Sequence, residues 1–258
     1  MDLGITGKRA LICASSQGLG LGCAKALAQA GVDLVINARG ADALDKAAAQ
    51  LRGLGVSVTA VAADVTTQDG QAAVLDAAGD LDILVNNAGG PPPGSWTDWD
   101  RTDFLNALEA NMITPITLMK AVLPGMINKG WGRVVNITSQ SVKAPIPVLG
   151  LSNSARAGLT GYVAGTARQV AQHGVTINNL LPGSHATARR FAIDEMIAKN
   201  QNISLEDATK QVWAEIPAGR YGTAQEFGNT CAFLCSQHAG FIVGQNILLD
   251  GGNVNATI

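Results

Sequence analysis

The stretch RALICASSQGLGLGCAKALAQAG, residues 9–31, passes from an apolar run through a glycine-rich turn into a segment with helical spacing. Residues 9–14 are short and apolar, as a strand buried on both faces requires. The segment from Gly18 reads as a helix that ends at Gly31, a natural C-cap. A strand, a glycine turn and a helix in that order make an anion site. Gly18 and Gly20 let the main chain approach a pyrophosphate at the helix N-terminus, where free N–H groups and the helix dipole favour negative charge. The same glycines also suit a close helix–strand contact with no ligand, so placement after the first strand is what gives the motif weight.

The alternation continues outward from this stretch. Strand-like runs recur as VDLVINA, VSVTAVAAD, LDILVNNAG, GRVVNITS, VTINNLLPG and GQNILLDGG. Helical segments lie between them, including a long one from about residue 100 to 128 with a kink expected near Pro115, and another from Leu151 to His173. Repeated strand–helix units predict an α/β fold: one Rossmann-like, doubly wound parallel sheet of about seven strands, with helices on both faces and right-handed crossovers. Ligands of such sheets bind at the carboxyl ends of the strands. Residues 1–258 read as a single domain, and 188–217 is longer than a connection needs. That excess predicts a helical substrate lid, with SLED at residues 204–207 resembling a capping box for its second helix.

Composition narrows the function. The formal charge of −2 argues against a general nucleic-acid or anionic-membrane surface. No apolar run is read as reaching the roughly 18–20 residues of a membrane span, and no signal-peptide pattern opens the chain. Cys13, Cys23, Cys231 and Cys235 form no CxxC pair, and no histidine is spaced for zinc, so no metal is expected. They read as buried free thiols of a cytoplasmic protein.

The motifs, taken in order, resemble the short-chain dehydrogenase/reductase family across almost the whole chain, in particular its 3-oxoacyl-carrier-protein reductases. The family's TGxxxGxG loop is matched by Gly18 and Gly20, with Cys13 and Ala14 in place of its Thr-Gly. The resemblance implies cofactor contacts from Ser15, Ser16, Gln17, Gly18, Leu19 and Gly20. NAD-preferring members carry an acid after the second strand; this chain has Ala38 and then Arg39. An arginine suits a 2′-phosphate, so NADP(H) is favoured and NAD(H) remains possible; a solvated surface arginine is the alternative. Asp64-Val65 resembles the family's adenine-binding pair, and NNAG, with Asn87, Ala88 and Gly89, its motif at the end of the fourth strand. Pro182, Gly183 and Thr187 match PGxxxT, where the threonine meets the nicotinamide or a phosphate.

At the chemical end, Asn111 and Ser139 occupy the family's relay asparagine and serine positions. Thirteen residues after the serine the family places Tyr-x-x-x-Lys; here the positions hold Ser152 and Arg156. Tyr162 lies nearly three turns further along the helix, too far to substitute. A tyrosine of pKa about 10 is brought toward neutrality by a neighbouring cation. A serine hydroxyl, an aliphatic alcohol nearly as weak an acid as water, is not. Arg156 stays protonated and suits ribose hydroxyls, and Ser152 suits a water or the substrate oxygen. His185 is a candidate acid because histidine titrates near neutral pH, or else it bonds its own loop. Phe191, Met196 and Trp213 are candidates for an apolar pocket with Trp96, Val142 and Leu149. Arg189 and Arg190 suit an anionic substrate or else salt bridges with Asp194 or Glu215.

Two functions follow. One is an NADP(H)-dependent oxidoreductase interconverting a small-molecule carbonyl and an alcohol with an atypical proton relay. The other is a catalytically silent nucleotide-binding sensor or scaffold. The resemblance also implies a homo-oligomer, tetramer or dimer, built through paired long helices and the last strand.

Overall fold

The computed structural model describes residues 1–256. Its sheet has seven parallel strands in the order β3-β2-β1-β4-β5-β6-β7. They are β1 (Arg9–Ile12), β2 (Asp33–Ala38), β3 (Val58–Ala62), β4 (Ile83–Asn86), β5 (Gly132–Ile137), β6 (Val175–Pro182) and β7 (Asn246–Leu249). Every strand-like run of the sequence became a strand. The helices are α1 (Gly18–Gln29), α2 (Ala41–Arg52), α3 (Gln68–Ala78), α4 (Arg101–Leu108), α5 (Thr114–Lys129), α6 (Gly150–Val170), α7 (Ala188–Gln201), α8 (Leu205–Ala214) and α9 (Ala224–Leu234).

Alternation along each strand builds two cores. Ala10, Ile12, Leu34 and Ile36 face one side with α1, α2 and α9. Leu11, Cys13, Val35 and Leu84 face the other with α3, α5 and α6. Both strand faces are therefore apolar, which is why the runs read as continuous. β1 sits between β2 and β4, and the winding reverses there, so a crevice opens at the carboxyl ends of β1 and β4.

Helices α1 and α9 pack through glycine: a Cβ on Gly22 would collide with the Ala224 carbonyl, and one on Gly228 with that of Gly22. The close-contact reading of the glycine stretch thus holds for Gly22. Gly70, which weakens α3 on propensity, lies against the Asp64 carbonyl, where a side chain has no room.

The long helix predicted near residues 100–128 is present but not uniform. Residues Glu109–Ile113 form one turn of π-helix between α4 and α5. Pro115, at the start of α5, has no N–H to give the preceding turn, and the hydrogen-bond ladder widens to a π turn just before it. By length and composition Arg101–Lys129 passes for a membrane span, where the sequence reading expects none. Its inner face, with Leu118, Met119 and Met126, is committed to the sheet. The four cysteines are free and buried as expected.

Residues 188–217, where the sequence predicts a lid, contain α7 and α8, with Ser204 capping α8. Asp194 is fully buried and accepts hydrogen bonds from Arg190 (2.7 Å) and from the Tyr221 hydroxyl (2.9 Å). Phe191 and Trp213 pack edge-on against Tyr221 at 6.4 and 5.9 Å. Trp96 (84%) and Met196 (54%) are exposed, so the apolar pocket drawn from sequence is assembled only in part.

Candidate active site

The β1–α1 turn opens the crevice. Ala14 stands at φ 46°, in the left-handed region, where an L side chain is strained. Sequence reading treats alanine for glycine here as one added methyl; the backbone conformation shows a second cost. Ala14→Gly is therefore expected to stabilise the fold by about 1 kcal/mol, raising the midpoint by roughly 2–4 °C in a thermal melt.

Ser15 is fully buried; its hydroxyl donates to the Ile12 carbonyl (2.8 Å) and accepts from the Asn37 N–H (3.2 Å). It ties the ends of β1 and β2 together, and its side chain is not free for a cofactor. Ser16 is half-buried and Gln17 exposed. Gln17 is the N-cap of α1 but its side chain caps nothing, whereas α7, α8 and α9 are each capped by Ser or Thr. The first N–H groups of α1, at Gly18, Leu19 and Gly20, are thus left for a ligand. Gly18 has φ 58°, and a Cβ there would lie 3.7 Å from Thr187. Gly20 faces the Ala14 carbonyl and the Asn87 amide, leaving no room for a side chain. Asn87 in turn donates to the Ala14 carbonyl at 3.1 Å. The loop, the NNAG turn and Thr187 therefore converge on one cleft. Ala88 is half-buried in its wall and Gly89 exposed.

At the end of β2, Arg39 is exposed. After β3, Asp64 accepts from the main chain (3.0 Å) and hydroxyl (2.8 Å) of Thr66. Those two bonds, with a smaller contribution from Arg39, hold its carboxyl below the usual range. Val65 follows, half-buried. Pro182 and Gly183 turn the chain at the end of β6, with Gly183 pressed against Asp250 and the Gln140 side chain.

The chemical end forms beyond β5. Ser139 is half-buried, and its Oγ accepts from the Ser141 N–H at 3.1 Å. Ser152 and Arg156 share a face of α6 and are 5% and 7% exposed. Arg156 Nε donates to Ser152 Oγ at 3.1 Å, and Nη1 donates to the Ile137 carbonyl at 2.8 Å. One guanidinium thus ties Ser152 to the last residue of β5, two residues before Ser139. Burial, with Arg189 adding a like charge, lowers the Arg156 pKa to about 10, so it stays charged near neutrality. Asn111, on the π turn, donates to Ala107 at 3.3 Å. It lines a cavity of about 10 Å³, room for one water, with Asn86, Asn87 and Arg156.

His185 does not face this chemistry. Its Nδ1 lies 3.1 Å from the Gly183 carbonyl, its ring meets Phe227 edge-on at 5.3 Å, and Gly222 covers the other nitrogen. The ring supports its own turn, as the alternative reading of that residue had it. Burial lowers its pKa, partly offset by Gly183 and Glu226. The folded state therefore keeps a neutral ring that the unfolded chain protonates near 6.5. Its stabilisation is complete above that pH and is lost as pH falls below it. The melting midpoint is expected to drop between about pH 7 and pH 5, and to drop less in His185→Asn; equal slopes would count against this.

Both tyrosines lie in other surroundings. Tyr162 packs into the α5–α6 core, and Tyr221 donates to Asp194, with burial raising its pKa to about 12. Sequence reading did not find the Asp194–Tyr221 anchor. Nor did it find that Arg189 reaches from α7 to the Gly90 (3.3 Å) and Pro91 (3.4 Å) carbonyls, roofing the cleft. Arg190 pairs with Asp194, as the salt-bridge reading had it.

Residues 13–253 match the family model described as enoyl-(acyl carrier protein) reductase. The chain is 32% identical over 254 residues to gluconate 5-dehydrogenase of Gluconobacter oxydans, covering 96% of this chain and 95% of that one. It is 32% identical over 258 residues to a 3-oxoacyl-(acyl-carrier-protein) reductase of Vibrio cholerae, covering 97% and 98%. Among solved structures it is similar to L-sorbose reductase from Gluconobacter frateurii, complexed with NADPH and L-sorbose, with a TM-score of 0.95 and 30% identity over 99% of this chain and all of the other. The family-model match and these relatives place the chain in the short-chain dehydrogenase/reductase family of oxidoreductases.

Proposed function

We propose that the protein is an NADP(H)-dependent oxidoreductase that interconverts a small-molecule carbonyl and an alcohol, with Ser152 and Arg156 in place of the family's tyrosine and lysine. The observation that carries this is the Arg156 tie, which holds Ser152 beside the end of β5 and its Ser139. The uncapped N-terminus of α1 and the glycine cradle fit a pyrophosphate. Arg39 fits a 2′-phosphate, and the NADPH-bound relative supports the same cofactor. Bound NADPH would supply the hydride.

The chain's own residues organise the carbonyl oxygen. The oxygens of Ser139 and Ser152 are each engaged by an N–H donor, so their hydroxyl hydrogens are free to turn into the cleft. Two such donors and the Arg156 charge stabilise the negative charge that develops on the carbonyl oxygen. The proton then comes from solvent, because Ser152 is too weak an acid and His185 faces elsewhere. Loss of one such donor costs about 10²–10³ in kcat. Ser139→Ala is expected to lose that much turnover with NADPH affinity unchanged, read by loss of nicotinamide absorbance with a panel of ketones and ketoses. No turnover by wild-type protein that binds NADPH would sink the proposal. It would favour the silent nucleotide-binding reading, which the replacement of both hallmark residues supports.

Exposed Phe104, Leu105 and Ile113 on the long helix, and Phe241 before β7, support self-association. Four free thiols support a reducing, cytoplasmic setting.

A further inference from the structure

Four asparagines stand side by side across the carboxyl half of the sheet. Asn86 on β4 is in register with Asn136 on β5, Asn136 with Asn179 on β6, and Asn179 with Asn246 on β7. Their side-chain amides form one chain with one direction. Asn86 Nδ2 donates to Asn136 Oδ1 (2.8 Å), Asn136 Nδ2 to Asn179 Oδ1 (3.1 Å), and Asn179 Nδ2 to Asn246 Oδ1 (2.8 Å). Asn136 and Asn179 are fully buried, and Asn86 is 3% exposed. Amides in an apolar sheet are costly unless bonded, and here each bond fixes the orientation of the next amide.

Every donor in the ladder points from β4 toward β7. The acceptor left over at the other end is Asn86 Oδ1, which is buried without a protein partner. Asn86 lines the cavity that Arg156 and Asn111 also line, and Asn111 Oδ1 is likewise unpartnered. Arg156 bonds there only to neutral oxygens, those of Ser152 and Ile137, and forms no salt bridge among the described residues. A buried cation without a counter-ion is costly unless fixed dipoles face it. An amide that donates through its N–H is polarised toward a stronger acceptor at its oxygen. The Asn86 side chain, with its oxygen unpartnered, lines one small cavity with the guanidinium, where a flipped Asn86 would bring an NH₂ group to a cation instead.

We propose that Asn136, Asn179 and Asn246 are positioning residues for Arg156. Through the register of four strands they hold the Asn86 amide oxygen toward the guanidinium, so that aligned amides, and no carboxylate, meet its charge. Asn246 ends the chain as its last acceptor, and the Pro115 carbonyl, 3.5 Å from Asn86 Nδ2, favours the same direction at the other end. Burial with an uncompensated charge then serves the reaction: the charge remains for the substrate oxygen.

The inference rests on the proposed role of Arg156, but its test reads the guanidinium itself and not turnover alone. In ¹⁵N-labelled full-length protein, the Arg156 Nε–H signal is identified by its loss in Arg156→Lys, and its exchange with solvent is measured. Asn246→Leu removes the acceptor and Asn246→Asp keeps it. The leucine variant is expected to exchange faster by about tenfold, while the aspartate variant stays near wild type. Where turnover is measurable, kcat should follow the same order with KM for NADPH unchanged. A merely space-filling role would favour leucine over aspartate. If Asn246→Leu does not melt cooperatively, Asn179→Leu cuts the ladder one strand nearer and is read in the same way. Wild-type exchange in a folded leucine variant, or equal changes in the leucine and aspartate variants, overturns the proposal. Absence of turnover in wild type, with the exchange pattern as expected, removes the reductase reading and leaves the ladder standing.

Discussion

Ser152→Tyr combined with Arg156→Lys is expected to raise kcat/KM for ketone reduction by about 10²–10⁴, the usual contribution of a placed general acid. The physical ground is the proton. Serine, an aliphatic alcohol about as weak an acid as water, donates a hydrogen bond but does not surrender its proton at neutral pH. A tyrosine beside an ammonium starts near 10 and is lowered further by the cation. The pair must change together. Arg156 is fastened to the Ile137 carbonyl and to Ser152, so a tyrosine placed alone would meet a guanidinium already committed to the strand end. A lysine carries a compact charge on a flexible stem and releases that tie. The measurement is steady-state NADPH oxidation by wild type, both single variants and the double variant, with nucleotide affinity followed separately. A double variant that folds, binds NADPH and is no faster than wild type would show that position 152 does not face the reacting oxygen. Turnover that arises only in the double variant would assign the natural protein to the silent reading.

Arg39→Asp is expected to shift the ratio of NADPH to NADH preference by about 10²–10³. A charge-assisted bond to the 2′-phosphate is worth roughly 1.5–3 kcal/mol. A carboxylate in its place repels that phosphate and accepts from the ribose hydroxyls of NADH instead. Together these come to about 3–4 kcal/mol, with each 1.4 kcal/mol a factor of ten. The exposure of Arg39 allows the exchange without disturbing the core. Competition titrations of the two reduced nucleotides check it, and an unchanged ratio would remove Arg39 from the specificity site. The effect should weaken as salt is raised, since an exposed arginine is screened.

Much of the architecture was legible along the chain because doubly buried strands leave continuous apolar runs that glycine and helix signals punctuate. The site was legible where a residue's role depends on its neighbours in sequence. Gly18 and Gly20 follow a strand, and Ser152 and Arg156 lie four apart on a helix, so they were found. From sequence His185 reads as either a candidate acid or a residue bonding its own loop, and only packing shows its ring turned toward Phe227 and Gly222. Ser15 reads as a cofactor contact from its place in the glycine-rich turn, and its hydroxyl is spent between two strands. The π turn at Asn111 and the strain at Ala14 left no signal beyond a proline and a missing glycine.

The amino-acid order by itself determined the parallel α/β sheet, the glycine turn after its first strand and the shared helix face of Ser152 and Arg156, because these depend on period, spacing and identity within short stretches. Tertiary structure alone decided which side chains share the cleft, where the buried charge of Arg156 finds its acceptors, and that asparagines more than 150 residues apart form one line. Strand order and register bring those residues together, and neither is written in any local segment.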